Sequence, residues 1–461
     1  MTNRAILRSI EEGERLKGHR NEIRTLLTEK PKSIIILDDD PTGTQTVHDI
    51  PVITEWSEVA LERELLASPV FFILTNSRSL QAEEADALAQ LIGKRLKKLS
   101  DRHQKNLLLI SRSDSTLRGH YPNEVIALSK GLGIENAKHL LAPAFFEGGR
   151  YTVDDIHYVQ EGNNFVPAAE TPFAKDNTFG YTASNLKDWI IEKTSGNVSS
   201  DKIDSLSIES LRSSSIAKIK SILKKKETSH LVVNATSPAD LEAVALASID
   251  CETPLVFRTA ASFVNAISGI APSPLLGKEK LLNGQKSNGA LVVVGSYVPK
   301  TSKQLKYLEE NNEAVFLELD VLKILETTAF QRETKKLSAK IDSLLGSKHN
   351  VVLYTSRIVI KGETKAKSLE IVNQVSKALI IIVEQLTVRP RYMLAKGGIT
   401  SSDLATKALS VQRALIMGQV INGVPVWQLG KEAKYPNMPY IVFPGNVGDE
   451  SALHNLIQKL E

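Results

Sequence analysis

The sequence predicts an α/β protein of two domains, each a mostly parallel sheet flanked by helices. Three observations lead there. A chain of 461 residues is too long for one ordinary core. Short apolar runs rich in Val, Ile and Leu alternate with longer segments of helical period, the pattern of strands joined by crossover helices. Between Gly269 and Gly289 the composition turns to Pro, Gly and Lys without sustained periodicity, which divides the chain into residues 1–270, a linker at 271–288 and residues 289–461.

The bulk numbers exclude several classes. Hydrophobic content of 42% and charged content of 24% are those of an ordinary soluble globular protein, and a net charge of +4 is small for this length. A nucleic-acid binder would carry a stronger basic excess, so small anionic substrates fit better. The single cysteine, Cys251, rules out an intrachain disulfide and any cysteine-based zinc site, and suits a reducing cytosol. The nine histidines show no H-E-x-x-H or other close ligand pairing, so no protein-caged metal is expected. Charged residues interrupt Met1 to Lys30, which is therefore no signal peptide, and no apolar run approaches the roughly 18 residues of a membrane span. The expectation is a cytoplasmic protein without membrane or nucleic-acid partners; a homo-oligomer is compatible with the sequence.

Taken in order, apolar residues at helical spacing between Ile6 and Leu27 predict one or two amphipathic helices. The run Ile34 to Leu37 is a buried strand followed at once by Asp38, Asp39 and Asp40, which are expected to surface into a polar loop turned by Pro41 and Gly43. A solvated turn is the plain alternative, yet adjacent acids repel and an unliganded turn gains little from them. A strand at Pro51 to Thr54, a helix near Ser57 to Ala67 and a strand at Val70 to Leu74 follow, the last ending in Thr75-Asn76-Ser77-Arg78. A helix from Ala82 to about Leu99 leads to the strand Leu107 to Ile110, which runs into Ser111 to His120. Crossover helices leave every parallel strand's C-terminal end on one edge, so the three polar tips should converge there. A strand at His139 to Ala142 opens into a lid-like, loop-rich segment through Asp155, and further units start at Leu231 and Leu255, the first with a helix capped by Ser237 or Asp240.

Beyond the linker a strand, Ala290 to Val294, runs into Gly295-Ser296. Strands are expected near Ala314 to Leu319, Val351 to Thr355, Tyr392 to Ala395 and Tyr440 to Phe443, with long helices at Glu333 to Leu345 and Lys365 to Leu386. Two glycine loops stand out. Lys396-Gly397-Gly398-Ile399-Thr400 precedes a helix expected at Leu404 to Leu409, and Pro444-Gly445-Asn446-Val447-Gly448 lies near the C-terminus. Glycines admit close backbone approach, and free amides suit an anion or phosphate. Neither G-x-x-x-x-G-K-[ST] nor G-x-G-x-x-G occurs.

A phosphoryl acceptor site needs a carboxylate to take a hydroxyl proton and cations to hold an anionic substrate. Asp39, Asp40 and Asp114 can serve the first need, and Arg78, Arg112 and Arg118 the second, with Thr42, Gly43, Ser77, Ser115 and Thr116 as further contacts. His48, His120 and His157 lie nearby and read as hydrogen-bonding partners.

These residues, as D-D-x-T-G at Asp39 to Gly43, S-R at Ser77-Arg78, D-S-T-L-R-G at Asp114 to Gly119, A-P-A-F at Ala142 to Phe145 with Gly149-Arg150, G-S at Gly295-Ser296, G-G-I-T at Gly397 to Thr400 and P-G-N-V-G at Pro444 to Gly448, together resemble the four-carbon acid sugar kinases. The resemblance runs in order from about Ser33 to the C-terminus. It implies an N-terminal sugar-acid domain, a C-terminal nucleotide domain and ATP-dependent phosphorylation of the terminal hydroxyl of threonate, erythronate or 3-oxo-tetronate. It also implies that Ser296, Gly397, Gly398, Ile399, Thr400, Gly445, Asn446 and Gly448 hold ATP, with Mg2+ arriving on the nucleotide. The expected active site lies in the cleft between the domains. Two departures bear on the acid taken: Pro41 stands where many members have an aromatic residue, and the leading helix is long. The competing readings are a non-catalytic sugar-acid and nucleotide sensor, and an oxidoreductase, against which the absent dinucleotide fingerprint argues.

Overall fold

The computed structural model of the chain describes residues 3–282, 288–358, 360 and 363–461; residues 283–287 of the expected linker lie outside the described residues. The chain forms two units, Met1–Pro272 and Ser273–Glu461.

In the first unit the strands are β1 (Ser33–Asp38), β2 (Ile50–Ile53), β3 (Val70–Leu74), β4 (Leu107–Arg112), β5 (Lys138–Ala142), β6 (Arg150–Val153), β7 (Ile156–Glu161), β8 (Asn164–Pro167), β9 (Ile203–Leu206), β10 (His230–Val233) and β11 (Leu255–Thr259). Eight of them make a parallel sheet ordered β2-β3-β1-β4-β11-β5-β10-β9. Helices cover both faces, which is why Ile34, Ile35, Ile36 and Leu37 are all buried. The chain passes from β1 to one side through β3 and then returns across it to β4. That reversal opens a crevice beyond the carboxyl ends of β1 and β4, the usual ligand position in such sheets.

The structure corrects two expectations here. Asp38 belongs to β1, and it and Asp39 are buried, at 0% and 2% exposure, instead of surfacing; arginines buried beside them compensate the charge. Of the segment after β5 expected to be loop-rich, residues 143–149 are loop and turn, but Arg150–Val153 is strand β6, which joins β7 and β8 beyond Asp155 in an antiparallel sheet. The leading helices, Asn3–Glu14 and Arg20–Glu29, form as expected and lie against helix Pro238–Ile249, with Arg20 2.7 Å from Glu242. Ser237 caps that helix and Asp240 returns the bond, a reciprocal capping box.

The second unit holds β12 (Leu291–Val294), β13 (Val315–Leu319), β14 (Val351–Thr355), β15 (Met393–Lys396), β16 (Arg413–Ile421), β17 (Val424–Leu429) and β18 (Pro439–Phe443). The strands β13-β14-β12-β15-β18 run parallel, and β17 and β16 continue antiparallel. The hairpin of β16 and β17 was not expected from the sequence reading. A further difference sits after β15: the helix begins at Gly398, not Leu404, because Gly397 at φ 117° turns the chain directly from strand into helix. The core of this unit gathers Val292, Val294, Leu394, Val426, Ile441 and Phe443 against Leu453 and Leu456 of the last helix.

Candidate active site

Parallel register places the polar tips of the first unit side by side. Asp38 is level with Leu74 on one flank and Arg112 on the other, and Arg112 is level with Thr259. Backbone bonds continue past the strand ends, from Thr75 N to Asp38 O (2.9 Å) and from Ser113 N to Thr259 O (2.8 Å).

Four carboxylates and three guanidinium groups interlock at this edge. Arg78 grips Asp39 through two bonds, Nη2 to Oδ1 at 2.7 Å and Nε to Oδ2 at 3.3 Å, and lies 3.7 Å from Asp40 and 4.0 Å from Asp114. Ser113 Oγ donates to Asp39 Oδ2 at 2.5 Å. Arg112 reaches Asp38 at 3.1 Å and Asp39 at 3.9 Å. Arg118 Nε donates to Asp114 Oδ2 at 2.7 Å, and Thr116 donates to the same oxygen. Gly119 makes the meeting possible: its φ is 123°, and a Cβ there would stand 2.6 Å from both Arg258 and Ser113 and 3.0 Å from Asp39. Gly43 lies against the Asp38 carboxyl, where a Cβ would stand 2.0 Å from Oδ2.

The charges separate by environment. Burial pushes Asp38 up to about 7 even with Arg112 beside it, and its Oδ2 has no hydrogen-bond partner. Burial also acts on Asp39 and Asp114, but Arg78 outweighs it at Asp39 and Arg118 with Arg78 at Asp114, so both carboxyls lie below the usual range. Burial alone would lower Arg78; its three acid neighbours hold it well above its ordinary value. Asp40 accepts a single hydrogen bond, from the Thr42 amide to Oδ1 at 2.8 Å, and its side chain keeps 15% exposure.

The remaining expected residues have partners of their own. Ser77 is buried and donates to Glu124 at 2.5 Å, and Glu124 in turn pairs with Arg258 at 2.8 Å. Arg112, at 4% exposure, faces inward to Asp38. Ser115 offers its carbonyl to His157 Nε2 at 2.8 Å, and the Thr116 carbonyl accepts from Tyr181 at 2.8 Å. His120 binds the Ser77 carbonyl at 3.0 Å, and His48 binds the Ala271 carbonyl at 2.9 Å.

In the second unit the expected loops converge. Gly397 N donates to Phe443 O at 2.8 Å and Ser296 N to Lys396 O at 3.2 Å. A Cβ on Gly397 would stand 2.9 Å from Ser296 Cβ, one on Gly445 would stand 3.1 Å from Ser296 Oγ, and one on Gly295 would meet the Thr400 hydroxyl at 2.2 Å. Thr301, fully buried, ties Gly445 O (3.1 Å) to Ser296 Oγ (3.3 Å). Ile399 is 53% exposed, and Asn446 and Gly448 are exposed beyond Gly445.

Three basic side chains edge this cradle, and among the described residues none has a carboxylate within 4.0 Å. Arg357 donates to Ser296 O at 2.9 Å and Ser302 Oγ at 2.6 Å. Lys300 donates to Asn446 O at 3.3 Å. Lys396, at 0% exposure, donates to Pro444 O at 2.8 Å and lies 3.7 Å over the Phe443 ring; burial, with Lys300, lowers it to about 6. Close-packed glycines beside the cations Lys300 and Arg357, with Lys396 able to take up a proton, fit the phosphates of a nucleotide. Among the described residues no group of three His, Cys, Asp or Glu is arranged to hold a metal.

Sequence reasoning missed Ser113, Glu124 and Arg258 in the first unit, and Thr301, Lys300, Arg357 and Lys396 in the second. Lys396 carried a signal, since it stands at the end of a buried run directly before Gly397. Arg357 carried none, because it reaches Ser296 from beyond a different strand, β14.

Residues 34–267 match the family described as sugar-binding N-terminal domain, and residues 291–453 match the nucleotide-binding C-terminal domain. Over 325 residues, 67% of each chain, the sequence is 23% identical to the D-erythronate kinase of Heliobacterium modesticaldum (strain ATCC 51547 / Ice1). A solved structure from Salmonella typhimurium LT2, provisionally designated a tRNA synthase, superposes with a TM-score of 0.68 at 17% identity, covering 93% of this chain and 98% of its own. A Haemophilus influenzae protein does so with a TM-score of 0.61 at 15% identity, covering 93% of this chain and 100% of its own. At such identities the two structures establish the fold and not the chemistry. No described helix is long and apolar enough to cross a membrane.

Proposed function

From the membership of this chain in the four-carbon acid sugar kinase family, we propose that it transfers the γ-phosphoryl group of ATP to the terminal hydroxyl of a four-carbon sugar acid of the threonate, erythronate or 3-oxo-tetronate type. The observation that carries the reading is the pairing of two kinds of site. Among the described residues, one unit has clustered acids in which Asp40 Oδ2 accepts no hydrogen bond and lies 3.7 Å from Arg78; the other has a glycine cradle edged by Lys300, Arg357 and Lys396, none with a carboxylate within 4.0 Å.

In this reading Ser296, Gly397, Gly398, Ile399, Thr400, Gly445, Asn446 and Gly448 hold the nucleotide, and ATP with Mg2+ supplies the transferable phosphoryl group. Arg78 and Arg118 fix Asp39 and Asp114, and so set the shape of the acid pocket. Asp40 accepts the substrate hydroxyl's proton. That proton leaves late in phosphoryl transfer, so a positioned carboxylate suffices without a strongly raised pKa. Asp39 and Asp114 are the other candidate acids, each already bound by an arginine.

The test is an ADP-release assay with ATP and Mg2+ across a panel of tetronates, beside a thermal-shift screen of nucleotides. Turnover of at least one four-carbon acid to its 4-phosphate is expected. Stabilisation by NAD(P) with no ADP release would overturn the reading, and stabilisation by ATP and an acid without turnover would leave a sensor.

A further inference from the structure

The arginines expected to hold the substrate's carboxylate are already occupied. Arg78 is bound to Asp39, Arg112 to Asp38 and Arg118 to Asp114, and Arg258, which was not among the expected residues, is bound to Glu124. A carboxylate arriving beside Asp39, Asp40 and Asp114 meets two acids balanced by these pairs and a third, Asp40, left over, so a further cation is needed.

Arg150 is that cation. Among the described residues it has no carboxylate within 4.0 Å and no side-chain hydrogen bond, and its Nε is buried without a partner. It is nevertheless held in place. Its backbone pairs with Phe145 in both directions, N to O at 2.9 Å and O from N at 3.1 Å, which closes the turn through Phe146 to Gly149. Its guanidinium lies 5.9 Å over the ring of Phe173, and Arg118 lies 5.2 Å over the same ring. Gly148 leaves the space: a Cβ there would stand 2.9 Å from Arg150 Nη1. Burial lowers Arg150 and Arg118 adds to that, while the charges of Asp114 and Glu161 act against it.

We propose that Arg150, stacked on Phe173 beside Arg118, binds the carboxylate of the sugar acid and so makes the site prefer an acid to the neutral sugar alcohol. This rests on the kinase reading above. A guanidinium presents a planar pair of donors to a carboxylate, and a partly buried one without a counter-ion gains most by acquiring one. Arg78, Arg112 and Arg118 then serve to hold the acids in place.

The test is steady-state kinetics of the full chain and of Arg150→Gln and Arg150→Lys, with a tetronate, the matching neutral tetritol and ATP each varied. Arg150→Gln should raise KM for the tetronate by about tenfold to a hundredfold, leave KM for ATP and kcat within about threefold, and erase the preference for acid over tetritol. Arg150→Lys keeps the charge but loses the paired donors and should recover part of the acid's KM. If Arg150→Gln unfolds, Arg150→Lys decides: a tetronate KM raised several-fold against an unchanged tetritol KM upholds the assignment, and equal changes overturn it. Equal losses toward acid and tetritol in Arg150→Gln, or an unchanged tetronate KM, overturn it while leaving the kinase reading standing. A native chain that turns over no tetronate removes the kinase reading and this assignment together.

Discussion

Lys396→Met should make the nucleotide unit more stable near neutral pH and abolish part of its pH dependence. Lys396 is fully buried, and its ammonium goes from an ordinary 10.5 to about 6 through burial, with Lys300 adding to it. At about pH 7.5 the folded chain therefore holds this lysine mostly neutral, while the unfolded chain holds it charged. Removing a proton some three units below the ordinary value costs about 4 kcal/mol. The folded value lies below the unfolded one, so the unfolded chain binds more protons between about pH 6 and 10.5. Stability from this group accordingly rises with pH across that window, by about 1.4 kcal/mol per unit, and is flat below it. Methionine fills similar space and carries no charge, but it loses the bond to Pro444 O and the contact with the Phe443 ring, worth about 1–3 kcal/mol. The net expectation is a gain of about 1–3 kcal/mol at pH 7.5.

Urea unfolding between about pH 6 and 9.5 measures this. Trp427 is the sole tryptophan of the second unit, so a Trp56→Phe, Trp189→Phe background makes its fluorescence report that unit. Parallel pH slopes in the two proteins would refute the argument, as would a Met variant less stable at every pH. The same lysine should take up a proton when polyphosphate binds, which calorimetry in buffers of different ionisation enthalpy reads directly.

Other expectations follow from the same geometry. Asp40→Asn should lower kcat by about a hundredfold or more with ATP affinity kept; a near-native kcat would move the proton acceptor to Asp39 or Asp114. Gly397→Val places a branched side chain at φ 117° against Ser296 and should abolish ATP binding measured by calorimetry while tetronate binding persists. Glu124→Ala strands Arg258, buried at 4% exposure, and should cost about 3–5 kcal/mol in urea unfolding of the first unit; Arg258→Met alongside it should recover much of that loss.

What the sequence disclosed and what it withheld have separate physical causes. The central strands were legible because a parallel strand buried on both faces must be a continuous apolar run, as in Ile34 to Leu37 and Leu291 to Val294. The convergence of Asp39, Arg78 and Asp114 followed from topology, since crossovers leave carboxyl ends on one edge. The antiparallel pieces were overlooked although they left traces: β16 alternates buried and half-buried residues, and Asn422-Gly423 marks its turn. Partnerships were beyond reach. That Ser77 would turn to Glu124, or Lys396 to Pro444, depends on which strands become neighbours, and spacing along the chain carries no trace of it.

The antiparallel sheet that carries Arg150 is stitched to its surroundings. Thr152 and Ala235 exchange backbone bonds at 2.9 and 3.1 Å, Asn234 and Asp155 bond twice at 2.7 Å, Lys187 reaches Asp155 at 3.0 Å, and His157 N binds Ser184 O at 2.9 Å. Such a piece is a wall and not a flap. Its amides should exchange with solvent only when the first unit opens as a whole, and acid binding should show one fast phase, ungated by closure. With Arg150 as the anchor for the acid, a preset wall should also choose by refusal, and an acid one carbon longer should bind more weakly.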